Sequence, residues 1–155
     1  MHFDNTVDLK NTLKKTLLIS FIFGLFGVTV EVFFTAFSPL FSQDTFSWSL
    51  QGNSYAWMFI IYALTKPLFD LGYPFVSKFN ILIRTLSYSL VVFLIEFISG
   101  LVLEKLTGSC PWKYVDGLTF LGYIRLDYIF YWMVFGYFIE YIYLFLQKII
   151  RFDEC

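Results

Sequence analysis

The chain has 155 residues, 58% hydrophobic and only 15% charged, with a formal net charge of −1. Ordinary soluble domains carry roughly a quarter charged residues, so this composition excludes one, and 21 Phe are too many for a soluble core of this size. The chain contains no basic stretch, which argues against nucleic acid as a partner.

Residues 1–16 read as a short charged N-terminal segment with Asp4, Asp8, Lys10, Lys14 and Lys15, in which 3–15 suits an interfacial helix. The apolar run that follows is too long for the core of a secretory signal, and no small-residue cleavage site follows it, so it reads as a retained anchor. Residues 17–37 are predicted to be the first membrane span, with Glu31 as the only charge. Ser38-Pro39 ends it, because proline disfavours a helical residue before it. A Ser-rich polar loop occupies 38–54 and contains Trp48.

A second apolar segment covers about 55–76 and runs into Thr65-Lys66-Pro67 after ten residues. It predicts a span that is kinked or interrupted near Pro67. Lys66 and Asp70 stand four apart, suited to pairing on one helical face. The third span is predicted over 81–103, with Arg84 near its start and Glu96 near its middle. Arg84 suits snorkelling to the interface, with pairing to an acid on another helix as the alternative. A polar connection over 104–127 holds Cys110-Pro111-Trp112-Lys113-Tyr114, read as an interface anchor. The fourth span, 128–147, holds Glu140, with Asp127 placed to cap its start. Residues 148–155 form a charged tail.

The fold expected is therefore an all-α integral membrane protein, a four-helix transmembrane bundle over 17–147. Placing the N-terminus inside puts eight of the eleven Lys and Arg on the cytoplasmic side, which predicts both termini there. Trp48, Trp57 and Trp112 then fall near the outer interface. Cys110 and Cys155 lie on opposite sides in that topology, and with the single His2 they are not spaced to bind a metal. No cofactor is expected.

The spans carry one acid each at Glu31, Glu96 and Glu140. A carboxylate at bilayer depth costs about 2.5 kcal/mol or more, so each needs a proton, a donor, a cation or a hydrated cavity. Counting along alternating helices at about 1.5 Å per residue places all three within roughly 10 Å of depth, compatible with one site. Each has a glycine four residues away, Gly27, Gly100 and Gly136, which lets a neighbouring backbone approach closely. Phe-Gly-x-x-x-Glu occurs twice, at Phe26–Glu31 and Phe135–Glu140. Gly24, Gly27, Glu31 and Thr35 share one helical face, and Thr35 suits a bond to its own backbone. The structural alternative is that the acids bond to Tyr or Thr on other helices and fix the packing. Tyr62, Tyr88, Tyr128, Tyr131 and Tyr137 are the available donors.

Glu31-Val-Phe-Phe-Thr35-Ala, the run from Tyr55 through Trp57 and Tyr62 to Pro67, and Glu96-Phe-Ile-Ser-Gly100 resemble the transmembrane protein 229 family. Pro111-Trp112, Tyr128, Trp132 and Glu140 extend the resemblance, which spans most of the chain. That family stands with bacterial, permease-like proteins labelled ABC-transporter type IV. The resemblance implies a small multi-pass membrane protein and marks Glu31, Trp57, Tyr62, Glu96, Gly100, Pro111, Trp112, Tyr128, Trp132 and Glu140 as matching positions. No phosphate-binding loop of the form G-x-x-x-x-G-K-[ST] occurs in the sequence. A transport role would therefore need a separate ATPase subunit.

Three functions compete on this reading. The first is a permease-like transport component with a polar site at Glu31, Thr35, Glu96 and Glu140. The second is a structural or accessory subunit whose acids only fix helix packing. The third is a lipid-modifying enzyme, for which no nucleophile–histidine pair or phosphate-binding arginine cluster is visible. The expected partners are the lipid bilayer and either an ATPase subunit or further copies of the chain.

Overall fold

The computed structural model describes residues 4–37 and 51–150, with side chains from Leu9 onward in the first stretch. Residues 1–3, 38–50 and 151–155 lie outside the described set, and with them His2, Trp48, Cys155, Ser38-Pro39 and most of the loop and tail expected there. In chain order the elements are α1 (Asp4–Phe37), α2 (Ala56–Ala63), α3 (Thr65–Val76), α4 (Ile81–Thr107), β1 (Thr119–Phe120), β2 (Ile124–Arg125) and α5 (Ile129–Ile149). Three helical stretches are long and apolar enough to cross a membrane, Leu9–Phe37, Ile81–Thr107 and Leu126–Ile149. Large apolar side chains remain exposed along them, including Leu25, Phe34, Leu94, Phe130 and Val134. This is the pattern of a protein whose outer surface faces hydrocarbon.

The charged N-terminal stretch is not a separate element. α1 runs unbroken from Asp4 through the first expected span. The second apolar segment is interrupted at Leu64, between α2 and α3. Pro67 has no N–H to donate to Ala63, so the hydrogen-bond ladder fails one turn before the proline. Asn80 caps α4 by accepting the Ile83 N–H at 3.0 Å. Gly108 ends it in the left-handed conformation, φ 80°. The connection after α4 holds a two-stranded antiparallel hairpin that the sequence reading did not foresee, with Thr119 opposite Arg125 and Phe120 opposite Ile124. Asp127 does not cap α5 as expected. It lies in a short 3₁₀ turn, Leu126–Tyr128, and accepts from Arg125 Nε at 3.0 Å.

The chain divides into two compact units, Met1–Leu68 with Ile150–Cys155, and Phe69–Ile149. In the first, α1 and α2 pack antiparallel. Phe59 lies over Gly24 and forms an edge-to-face pair with Phe21, centroids 5.6 Å apart, and Tyr62 lies over Gly27. Ile19 and Phe23 are fully buried on that seam. In the second unit, α4 and α5 are antiparallel. Tyr88 lies over Gly136, and Ser89 donates to the Ile129 carbonyl at 3.3 Å. Phe69 of α3 stacks on both Tyr88 and Tyr143, centroids 5.2 and 5.0 Å away. Asp70 accepts from Tyr143 at 2.8 Å and Gln147 at 3.2 Å, while Lys66, only 3% exposed, donates to Thr16 at 3.5 Å.

A Cβ on Gly27 would overlap the Tyr62 ring, and one on Gly136 would sit 2.7 Å from Tyr88 Cβ. Overpacking of this kind costs about 1–3 kcal/mol. Gly27→Ala and Gly136→Ala are therefore expected to lower the melting temperature of the detergent-purified protein. Gly72→Ala serves as the control, since nothing lies within 4 Å of its added Cβ, and it should be neutral or gain about 0.5–1 kcal/mol from helix propensity.

Candidate functional site

Three of the acids, Glu31, Glu104 and Glu140, are held by one repeated device. A helical glycine lets a tyrosine ring lie flat on the backbone, and the hydroxyl of that tyrosine bonds to the glutamate one turn further on. Gly27 seats Tyr62, whose hydroxyl donates to Glu31 Oε2 at 3.2 Å. Gly136 seats Tyr88, which donates to Glu140 Oε2 at 2.9 Å. Gly100 seats Tyr123, which donates to Glu104 Oε2. The spacing is Gly-x-x-x-Glu in all three, because four residues return a helix to the same face.

Each device has a second donor of its own. Ser54 Oγ gives Glu31 Oε2 a bond of 2.9 Å. Arg84 Nη2 makes an ion pair with Glu140 Oε1, and Glu140 is only 2% exposed. Lys113 Nζ bonds Glu104 Oε1 at 2.7 Å and lies 5.7 Å from the centre of the Tyr123 ring. Arg84 is thus a counter-ion to an acid on another helix rather than a snorkelling cation. Glu140 on α5 is almost fully buried, and a guanidinium one helical turn into α4 is placed to satisfy it.

Glu96 stands outside this scheme. Gly100, expected to serve Glu96, serves Glu104 instead, because the tyrosine it seats points towards the C-terminal end of α4. Among the described residues, the one donor bonded to Glu96 is the Tyr114 hydroxyl, at a long 3.5 Å to Oε1. Its Oε2 is buried with no partner among the described residues. The indole N–H groups of Trp112 and Trp132 are likewise buried and unpartnered among those residues, as is Arg84 Nε.

Within the second unit, Glu96 and Glu140 do not meet. Glu140 is bound at Arg84 and Tyr88, which precede Glu96 on α4 by about 18 and 12 Å along the axis at about 1.5 Å per residue. The similar depth expected for these two acids does not translate into one site, because each has separate donors. Thr35 bonds back to the Glu31 and Val32 carbonyls at 3.0 and 3.1 Å and accepts the Asn53 N–H at 2.8 Å. It ties the end of α1 to the chain before α2. Trp57 is exposed on α2. Tyr128 packs edge-on to Tyr114, centroids 6.0 Å apart, and carries the Arg125 guanidinium 4.5 Å above its ring. Trp132, one turn along α5, packs edge-on to Phe135.

Sequence reading missed Glu104, taking it for the polar end of a span. Gly100-Leu-Val-Leu-Glu104 repeats the spacing of the other two devices, which was the available signal. In the connection beyond α4, burial raises the Tyr114 hydroxyl above its ordinary range. The Lys113 ammonium is raised by its bond to Glu104. Burial also pushes up the Cys110 thiol, which lies against Gly100. Among the described residues, no group of three or more His, Cys, Asp or Glu side chains is placed to hold a metal ion. No family model matches the chain, and no solved structure matches it.

Removing one partner of a buried ion pair costs about 3–5 kcal/mol, whereas replacing both by apolar groups is often neutral. Arg84→Met should therefore reduce the yield and melting temperature of folded protein sharply, and Arg84→Met with Glu140→Leu should recover much of the loss. A double-mutant cycle on thermal unfolding measures the coupling. For Cys110, a raised pKa means less thiolate at any given pH. In a Cys155→Ser background it should alkylate with maleimide more slowly than a denatured control, with the rate rising into the alkaline range.

Proposed function

We propose that this chain is a multi-pass, permease-like membrane component in which three acids fix the helices and the fourth, Glu96, faces a small polar or cationic solute. Glu96 Oε2 carries this reading, as a buried carboxylate oxygen with no partner among the described residues. A group left that way costs about 1–3 kcal/mol or more, so it persists where something else meets it. Glu31, Glu104 and Glu140 are each held by a tyrosine and a second donor, which consumes them as ties.

Four crossings, both termini cytoplasmic, complete the proposal. α2 and α3 have 8 and 12 residues, about 12 and 18 Å at helical rise. Neither spans the roughly 30 Å hydrocarbon core alone, and in tandem they suffice. Lys and Arg bias supports the orientation. The resemblance to transmembrane protein 229 proteins supports the class, and an ATPase subunit or further copies of the chain remain the proposed partners. A second reading, a purely structural or accessory subunit, is favoured by the number of acids already committed to ties.

Flux of a panel of small inorganic and organic cations into proteoliposomes separates the two. A hydrogen bond to a charged group contributes about 1.5–3 kcal/mol, so Glu96→Gln should cut flux by roughly tenfold or more with melting temperature unchanged. Glu31→Gln and Glu140→Gln should instead lower melting temperature. If Glu96→Gln acts only on folding, as the other two do, the structural reading stands and transport falls.

A further inference from the structure

Three buried polar atoms near one end of the α4–α5 pair lack partners among the described residues: Glu96 Oε2, Trp112 Nε1 and Trp132 Nε1. Arg84 meets Glu140 and Tyr88 meets Gly136. Carrying that antiparallel register onward sets Trp132 one turn, and Tyr128 about level, with Glu96. Tyr114 joins α4 to the start of α5, its hydroxyl on Glu96 and its ring against Tyr128. Trp112 follows Cys110, whose sulfur lies against Gly100, one turn beyond Glu96.

The charges around this place do not balance. Lys113 is taken by Glu104, and Arg125 by Asp127 and the Tyr128 hydroxyl. Glu96 has no ion pair among the described residues. A proton alone removes the charge but leaves a buried O–H facing no acceptor, and leaves both indoles unmet. A hard metal cation wants several oxygen ligands, and no group of three or more His, Cys, Asp or Glu side chains is placed to hold one among the described residues. An organic ammonium fits better. Its N–H groups and charge suit the carboxylate, its alkyl surface and charge suit the aromatic faces, and a hydroxyl or ether oxygen beside it would accept from an indole.

We propose that the Glu96, Tyr114, Trp112 and Trp132 cluster is a binding site for a hydroxyl- or ester-bearing alkylammonium, either a free amino alcohol or the same group as a lipid head. This deepens the reading of Glu96 as the solute-facing acid and rests on it. The free and lipid forms share the chemistry and differ in delivery, so one experiment separates them.

The test uses the purified full-length protein, with melting temperature and tryptophan fluorescence as readouts. Ethanolamine titrated into the detergent-solubilised protein is expected to raise the melting temperature and perturb tryptophan emission. Ethylene glycol, neutral and similar in size, is expected to do neither. Glu96→Gln should weaken binding roughly tenfold or more, the loss of a charge-assisted bond. If that variant does not fold, Trp132→Phe decides, since it keeps the ring face and removes only the indole donor; weakened ethanolamine binding is the expected result. Stabilisation in nanodiscs of phosphatidylethanolamine over phosphatidylglycerol, without a response to free ethanolamine, supports the lipid-head form. Equal binding of ethylene glycol, undiminished binding by the variants, or no response to either amine source overturns the site and leaves the cluster as a place for water. Ethanolamine binding without cation flux keeps the site and overturns transport; flux of inorganic cations without ethanolamine binding does the reverse.

Discussion

The constraint on which this molecule depends is that an acid inside an apolar protein must be met by a donor at the moment its helix packs. The solution repeats. A glycine removes the one atom that would hold a tyrosine off the backbone, and the tyrosine spans one helical turn to a glutamate. The ring length sets the spacing. A phenol lying along a helix carries its hydroxyl about one turn past the residue it rests on, so Gly-x-x-x-Glu is the spacing that closes the bond. Glycine, tyrosine and glutamate are therefore one structural unit, and the helix-packing distance, the burial and the hydrogen bond arise together. Each lies at a different point of the chain: α1 with α2, α4 with α5, and α4 with the hairpin that follows it.

The second donors differ in kind. Glu140 is the most deeply buried and receives a guanidinium, a planar donor that keeps its charge. Glu104 lies towards the end of α4 and receives an ammonium on a flexible stem, with the side chain of Lys113 half exposed. Glu31 receives a serine hydroxyl from the short stretch before α2. Glu140 and Glu104 are thus each paired with a cation, whereas Glu31 is met by two neutral hydroxyls. The cost of an ion rises with its distance from solvent, and Glu140, almost fully buried, has both an ion pair and a tyrosine hydroxyl to offset it.

Much of this was legible from the residues. The long apolar runs follow from composition and length, and three of them stand as helices able to cross a membrane. The glycines four residues from acids were visible, as was the paired Phe-Gly-x-x-x-Glu. The sequence did not reveal which tyrosine fills which glycine, because that depends on the register between helices, which one chain's periodicity does not encode. For the same reason Gly100 was assigned to Glu96. Both lie on one face, and only the direction in which Tyr123 runs decides that the glycine serves Glu104. The break at Leu64 was half visible, since Pro67 announces it without fixing on which residue the ladder fails. The hairpin was hidden because its strands are two residues long and its turn places Leu121 at φ 53°, where glycine or asparagine is the usual signal.

The repeated device also changes what a conspicuous acid means. In an apolar chain every carboxylate invites a functional reading, and by that measure Glu31, Glu96, Glu104 and Glu140 are equal. Once the donors are assigned they are not. An acid whose oxygens are met by residues of its own fold is explained by folding, because removing those bonds would leave the helices with a buried charge. Glu96 lacks such an explanation: its nearest donor bond is long, and its second oxygen meets nothing among the described residues. Two indole N–H groups of the same unit are also buried without a partner among the described residues. The fold has three working examples of how it satisfies an acid when satisfaction is the purpose, and Glu96 follows none of them.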